Sequence, residues 1–329
     1  MRIKDMIIAD KAGREKGYLD GAATLDLEVG GSHDFELKLP LSDYRNLGYS
    51  FGDRIYIPGT EYGGIIADCE TSTLEDDVTL RGYTWRGLLA RRVIEPPQDK
   101  DYLTVSGEAN KIIGQVTEGW FDGILTADEA DSGFVISDYQ FDRYTDGLTG
   151  LSDMLKSAGA KLELEYRQTE LSGNVILRAV PIYDYSDDVE YSNDNKVHFT
   201  TRDYRMGVNH LICLGKGEGK SQLIVHLYLD EKGEVSTQKH FTGIEENTEV
   251  YEAASQDNRE KLMQSSAEKL LDLMNYTELE MSVQDIEVAA GDIVGGRERM
   301  TGLYIRQPVT NKILKVDNDG YSIEYKVGE

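Results

Sequence analysis

The chain has 329 residues, 40% of them hydrophobic and only six of them proline, so it can fold into two or three domains and is not intrinsically disordered. Its formal net charge of −25 argues against non-specific nucleic-acid binding, which needs clustered Lys and Arg to neutralise phosphates, and we expect no sequence-specific nucleic-acid partner either. Cys69 and Cys213 are too far apart in sequence to indicate a disulfide framework or a metal pair. The apolar run Met6–Ala9 is too short for a signal peptide, and no run reaches the ~20 residues of a membrane span. We expect a soluble protein that is assembled inside a cell.

Residues 1–95 are predicted to form a first β domain. Apolar and polar residues alternate over residues 25–29 and 34–39, which is typical of strands with one face on a core and the other exposed. The domain ends in a predicted helix, in which Trp85, Leu88, Leu89 and Val93 share one face. Pro96 and Pro97 stop this helix.

Four arginines cluster near that helix in an otherwise acidic chain: Arg81, Arg86, Arg91 and Arg92. One interpretation is an ordinary solvated face. The other is a subunit interface, because arginine is well suited to ion pairs between subunits.

Residues 96–195 are predicted to form an α+β insert. A helix is expected behind Ser106 as its N-cap, and a second over 147–158 with Gly159 as its stop. A hairpin should follow, with its turn at residues 172–174, and the polar run 183–195 is predicted to be the linker out of the insert.

Residues 196–329 are predicted to form a second β domain. It should contain a hairpin across residues 215–219 and a long helix over about 255–275. The predicted apolar stripe of that helix is Met263, Ala267, Leu270, Leu271 and Met274.

An internal repeat is predicted from residues 52–83 and 291–328. Each segment reads as Gly-Asp, a short strand, a glycine turn, a strand, an acidic turn and a strand. Each is also preceded by an alternating strand, over residues 34–39 and 278–283. The alternative is that Gly-Asp before a strand is a common turn sequence in β proteins and does not indicate a repeat.

No motif for catalysis, cofactors or metals is found. The segment Gly215–Ser221 resembles a phosphate-binding loop, but position 214 is leucine where that pattern requires glycine, and the segment joins two strands. The five histidines have no zinc-ligand spacing, and the acidic loop with Asp128, Glu129 and Asp131 lacks the calcium-loop pattern. We expect no catalytic residue, no cofactor, no metal and no enzymatic activity.

Several segments resemble the siphophage tail and baseplate hub family, in the order in which they occur there. Residues 33–57, HDFELKLPLSDYRNLGYSFGDRIYI, and 63–97, GGIIADCETSTLEDDVTLRGYTWRGLLARRVIEPP, resemble the N-terminal portion of these hubs. NHLICLGKGEG, VHLYLDEKGEV, FTGIEE and AAGDIVGGRERMTGLYIRQPVTNKI extend the resemblance over nearly the whole chain. The family includes the hub portion of tail-associated lysins and is similar to the central hub of contractile baseplates.

The resemblance implies an α+β, β-dominated fold with two tube-type β domains, barrel or sandwich, related by the repeat. It implies a homotrimer whose pseudo-six-fold ring continues the tail tube at the tail tip, in a virion assembled in the host cytoplasm. The implied partners are a distal tail protein or tail tube ring, the tape measure protein and a tail fibre or spike. Two alternatives stay open: a tail-associated cell-wall hydrolase or endopeptidase, and a glycan-binding module suggested by the twenty tyrosines.

An acidic channel lining is the last prediction. If the two β domains line a channel for DNA, a negative wall repels phosphates over a Debye length of roughly 8–10 Å, whereas a basic wall would bind them. Alternation places five carboxylates opposite the apolar face of their strands: Asp26, Glu28, Glu36, Glu278 and Glu280. The alternative is that they solvate the outside of the ring.

Overall fold

The computed structural model describes residues 5–19, 22–72, 74, 76–168, 173–186, 197–283, 288–297, 304–317 and 319–328. The chain forms two compact units, the first from residues 1–200 and 280–329 and the second from residues 201–279. Strands dominate both units, so the predicted α+β, β-dominated class is confirmed. The finer division at residues 95 and 195 stays a prediction. None of the helices in the described ranges is long and apolar enough to cross a membrane.

The elements follow one another in four groups. The first group is β1 (Ile7–Ala9), β2 (Glu15–Tyr18), β3 (Thr24–Val29), β4 (Asp34–Pro40), α1 (Leu41–Leu47), β5 (Arg54–Tyr56), β6 (Gly63–Thr71), β7 (Asp77–Thr84) and α2 (Trp85–Ala90). The second is β8 (Thr104–Glu108), α3 (Ala109–Thr117), β9 (Leu125–Ala127), β10 (Val135–Gln140), α4 (Gly147–Ser157), β11 (Ala160–Gln168) and β12 (Gly173–Pro181).

The chain then enters the second unit through β13 (Val197–Tyr204). That unit contains β14 (His210–Leu214), β15 (Ile224–Leu229), β16 (Val235–Ser236), β17 (Thr248–Glu252) and α5 (Arg259–Leu273). The chain returns through β18 (Tyr276–Val283), and the last group is β19 (Ile293–Arg297), β20 (Tyr304–Val316) and β21 (Tyr321–Val327).

A twelve-stranded sheet organises the first unit. Its order is β13-β18-β21-β20-β3-β4-β7-β6-β5-β1-β2, with β19 also paired to β20. Within it, β4, β7, β6 and β5 are successive neighbours, and so are β18, β21, β20 and β19. The two predicted repeat segments therefore have the same strand order, which confirms the repeat. β3 pairs with both β4 and β20 and joins the two copies into one sheet.

The alternation predicted for β3 and β4 is also confirmed. Leu25, Leu27 and Val29 of β3 are buried, and so are the apolar residues of β4. Asp26 and Glu36, between these apolar residues, are exposed on the opposite face of the sheet.

In the second group of elements, residues 104–181, helices α3 and α4 pack on the sheet β11-β12-β9. Its core includes a stack of Tyr56, Tyr166 and Trp85, with the first two ring centroids 3.8 Å apart. α4 ends as predicted, because Gly159 adopts a left-handed φ of 72°. The turn of the predicted hairpin at 172–174 lies partly outside the described residues, but β11 and β12 pair antiparallel on either side of it.

Two helix ends differ from the prediction. The N-cap of α3 is Glu108, whose carboxylate accepts hydrogen bonds from the N–H groups of Asn110 and Lys111. Ser106 instead lies in β8, where its hydroxyl bonds Asp138 of β10. α2 ends at Ala90, so Val93 lies beyond it, half-exposed.

The predicted linker is only partly described. Its first residues are hydrogen-bonded to β19, since the N–H of Tyr185 donates to the carbonyl of Ile293 and the N–H of Ile293 donates to that of Tyr183. Residues 187–196 lie outside the described part of the chain.

The second unit is a four-stranded sheet, β16-β15-β14-β17, with α5 on one face. β14 and β15 form an antiparallel hairpin around residues 215–223, so the hairpin interpretation of Gly215–Ser221 is confirmed. α5 starts at Arg259, four residues later than predicted, because Asn258 caps it. Its buried face is centred on Leu262, Ser266 and Leu270, and the predicted stripe was wrong at Leu271, which is 47% exposed.

Candidate functional site: the charged face of the large sheet

One row of charged side chains crosses five neighbouring strands of the large sheet. Lys315 of β20 is paired with Asp26 of β3, Asp26 with Glu36 of β4, Glu36 with Arg81 of β7, and Arg81 with Asp68 of β6. Because side chains directly opposite each other in a sheet point to the same face, the row lies on one side. We call this row, with the adjacent Glu28, Glu70 and Glu324, the charged face.

Arg81 is enclosed by carboxylates. Its Nε lies 2.7 Å from Glu36 Oε2, and its Nη1 lies 2.6 Å from Glu70 Oε2 and 3.4 Å from Asp68 Oδ2. The hydrogen bonds to Glu70 and Glu36 raise the pKa of Arg81 above its ordinary value. Its positive charge is therefore compensated inside the chain.

Lys315 is compensated in the same way at the other end of the row. Its Nζ lies 3.0 and 3.1 Å from the two carboxylate oxygens of Glu324. Between the two cations, Asp26 and Glu36 are direct neighbours of like charge. Partial burial raises the pKa of Asp26, against the lowering effect of Lys315. The charged face as a whole keeps an excess of carboxylates, because its two cations, Arg81 and Lys315, stand against six acids.

This face contributes little to stability. Exposed ion pairs are worth at most about 1 kcal/mol, since solvent screens them and ordering two side chains costs entropy. The eight charges of this face therefore say more about what approaches the face than about folding.

The five predicted channel-facing residues fall into two sets in the structure: three lie on the charged face, and two belong to β18. Asp26 and Glu36 lie in the row, and Glu28 lies beside it, where its carboxylate accepts hydrogen bonds from Ser32 Oγ at 2.8 Å and Asn311 Nδ2 at 2.7 Å. Glu278 and Glu280 belong to β18, the strand next to β21, but their side chains lie outside the described part of the chain.

The four predicted interface arginines are not brought together. Arg81 is on the charged face, whereas Arg91 lies over the ring of Tyr83 and Arg92 over that of Phe121. Arg86 is buried within the chain. Their role at a subunit interface stays a prediction.

A buried ion cluster around Arg86 was not predicted. Arg86 Nε lies 3.0 Å from Glu61 Oε2, and Lys312 Nζ lies 3.7 Å from Glu61 Oε1. Beside them, Lys161 Nζ lies 2.5 Å from Asp292 Oδ1. These five side chains line a cleft of about 330 Å³.

The cluster connects three parts of the first unit. Glu61 and Arg86 come from the first repeat copy and its helix, Lys161 from β11, and Asp292 and Lys312 from the second copy. Burial opposes the charged form of Glu61, but Arg86 and Lys312 outweigh it and lower the pKa of that carboxyl. One signal in the sequence could have indicated this buried cluster. Lys312 is two residues from the buried Leu314 on β20, so alternation places this lysine on the core face of the strand.

The described residues contain no group of three or more His, Cys, Asp or Glu side chains placed to hold a metal ion.

The strand order and the repeat define a fold that is shared with phage tail proteins. One such structure is the 43 kDa tail protein of prophage MuSo2 from Shewanella oneidensis, which is 14% identical at a TM-score of 0.52, over 98% of each chain. Another is a topological model of the p2 virion baseplate in its activated conformation, 10% identical at a TM-score of 0.51, again over 98% of each chain. These likenesses confirm, at the level of fold, the resemblance predicted from the sequence. No family model and no curated protein matches the chain.

Proposed function

We propose that this chain is a structural, non-enzymatic subunit of a phage-type tail: the baseplate hub at the tail tip, working as a homotrimer. The observation that carries the proposal is the repeat. Two copies of the same four-strand unit lie in one continuous sheet, joined through β3. Three chains would supply six such units, which suits a ring that continues a tail tube of six-fold symmetry.

The likeness to a prophage tail protein and to a virion baseplate supports this role. In the proposed assembly the ring contacts a distal tail protein or tail tube ring on one side and distal components, such as a fibre or spike, on the other. The tape measure protein is a further proposed partner.

We propose that the charged face turns toward the lumen of this ring. Its cations, Arg81 and Lys315, are held by carboxylates of the same chain, which leaves a net negative surface. DNA passing such a wall gains no affinity by releasing counterions, so its passage is not slowed.

The oligomeric state tests the proposal. In sedimentation velocity at micromolar concentration, we expect a species with the mass of three 36.9 kDa chains. A monomer that persists at high concentration and in the presence of tail partners would overturn the proposed hub.

A further inference from the structure

Two histidines and a carboxylate form a chain of hydrogen bonds on the sheet of the second unit. His210 of β14 and His226 of β15 lie on the face opposite α5, because the buried residues that alternate with them along each strand pack against α5. His210 Nε2 lies 2.9 Å from His226 Nδ1. His210 Nδ1 lies 3.0 Å from Glu246 Oε1 and 3.0 Å from Thr248 Oγ1. We call the buried His210 and the exposed His226 the histidine pair.

The carboxylate determines where the protons of this chain lie. Lys239 Nζ donates to Glu246 at 2.6 Å, and this bond, with a further contribution from His210, lowers the pKa of Glu246 against the effect of burial. Glu246 is therefore an ionised acceptor over the range in which imidazoles titrate, about pH 5–8. Two acceptors without a proton between them do not lie 3.0 Å apart, so His210 Nδ1 carries a proton.

The tautomer of the second ring follows from that of the first. In a neutral imidazole one nitrogen donates and the other accepts, so the proton on Nδ1 leaves His210 Nε2 as an acceptor. The contact of 2.9 Å between the two rings then requires a proton on His226 Nδ1. When both rings are neutral, His226 thus donates to His210, and His210 donates to Glu246.

The histidine pair can take up one proton without losing its contact, but not two. With one ring charged, a single N–H still lies between Nε2 of His210 and Nδ1 of His226. With both rings charged, two N–H groups face each other across 2.9 Å, and two like charges lie in a partly buried place that water screens poorly. The second proton therefore breaks the bond between the rings.

Other charged groups around the pair do little to offset this repulsion. The charged and titratable side chains near it, besides Glu246, are Tyr228, Asp230, Lys239, His240 and Glu252. Tyr228 stacks on His210 with ring centroids 4.4 Å apart, and a phenol carries no charge at these pH values. Glu246 is shared with Lys239. Glu252 lies opposite Leu214, four residues along β14 from His210.

We propose that the histidine pair makes the stability of the second unit depend on pH. Near pH 7 the bond between the rings joins the side chains of β14 and β15, and Glu246 holds the β16–β17 connection, residues 237–247, beside them. When both rings are charged, near pH 5, this bond is lost and the unit opens more readily. The unfolded chain binds a proton at each ring, whereas the folded pair accommodates one, so stability falls as the pH falls. The second unit would respond in this way whether or not the chain is a hub.

Hydrogen exchange of the full chain tests the pH dependence. Between pH 7 and pH 5, with rates corrected for the intrinsic effect of pH, the amides of β14 and β15 in wild type should lose about three- to thirtyfold protection. His226→Gln should remove this loss, because a side-chain amide has a donor and an acceptor and does not change charge. The matched control is His240→Gln, an exposed histidine outside the pair, which should keep the wild-type loss.

Nitrogen NMR of the imidazole rings provides a second measurement, in which wild type itself is observed. At pH 7.5 we expect His210 and His226 both to carry their proton on Nδ1. The two variants above serve to assign the signals. At pH 5 both rings should be charged.

The outcomes are specific to this contact. Wild-type protection that is unchanged at pH 5, or a loss that His226→Gln does not reduce, overturns the proposed pH dependence. A neutral His226 ring with its proton on Nε2 at pH 7.5 overturns it as well. The proposed hub is tested separately by the oligomeric state, which none of these results measures.

Discussion

At the scale of single residues, Glu61 is the point where three parts of the first unit meet. Its carboxylate is shared by Arg86 and Lys312, and all three side chains are almost entirely buried. Removing one member of a buried ion group leaves the others without compensation, which costs far more than the net value of the group.

Glu61→Gln should therefore lower the free energy of unfolding by about 3–5 kcal/mol, because the buried Arg86 would lose the carboxylate that lies 3.0 Å from its Nε. Glu36→Gln on the charged face is the control, and its effect should stay within about 1 kcal/mol because that side chain is exposed. Urea denaturation of the full chain measures both. Equal effects would show that the buried cluster does not hold the three parts together.

Glu108 gives a pH dependence. It accepts hydrogen bonds from the N–H groups of Asn110, Lys111 and Ser132 at 2.9–3.0 Å. Burial opposes its charged form, but the Ser132 hydroxyl and these N–H groups lower its pKa from 4.5 to about 2. A carboxylate with a lowered folded pKa stabilises the fold above the unfolded pKa, and this contribution is lost as the pH falls from about 4.5 to about 2.

Glu108→Gln should accordingly cost about 1–2 kcal/mol at pH 7, and the gap to wild type should narrow below pH 4.5. Glu118→Gln, at the other end of the same helix and exposed, is the control at pH 7 and should change the free energy of unfolding by less than about 0.5 kcal/mol. Urea midpoints at pH 7, 4.5 and 3.5 provide the comparison. A stability difference between wild type and Glu108→Gln that widens toward low pH would contradict the predicted direction of the pH dependence.

At the scale of elements, two neighbouring leucines of α5 lie on opposite sides of the helix, one buried and one exposed. Leu270 is fully buried against the second unit's sheet, whereas Leu271 is half-exposed. Leu270→Ala should destabilise the second unit by about 2–5 kcal/mol, because it removes buried apolar volume and leaves a cavity. Leu271→Ala should cost less than about 1 kcal/mol. Thermal unfolding of the two variants tests this, and comparable losses would contradict the assigned face.

How far the elements could be predicted from sequence depended on the kind of signal. The repeat was predictable because turn residues and strand alternation recur locally in both copies. The start of α5 was not, because Ser255 and Asn258 are both residue types that cap helices, and the structure shows that Asn258 accepts the hydrogen bonds from the N–H groups of Glu260 and Lys261. The buried cluster was missed because Glu61 and Lys312 are 251 positions apart in sequence. The strand order that brings them together is a tertiary feature, which the local pattern of neither segment predicts. The charged row was predicted only in part. Asp26 and Glu36 were identified from the alternation of their strands. The pairing of Asp26 with Lys315 and of Glu36 with Arg81 depends on strand register, which the sequence does not give.

At the scale of the whole molecule, the charged face makes a prediction about DNA. The triple variant Asp26→Lys, Glu28→Lys and Glu36→Lys changes the charge of this face by six. We expect the variant to gain duplex-DNA affinity that falls steeply between 50 and 200 mM salt, whereas wild type shows none, since affinity for phosphates follows the number of cations. Wild-type binding of equal strength would contradict a repelling wall.

An image of the purified assembly by electron microscopy, averaged to a resolution that places the sheets, tests the central claim most directly. The account predicts a three-fold ring around a central channel, with six copies of the four-strand unit around it and Asp26, Glu28 and Glu36 on the lumen. A ring whose lumen is rich in Lys and Arg, with those three carboxylates on its outer surface, would contradict the proposed lining. A particle without a ring would contradict the hub itself.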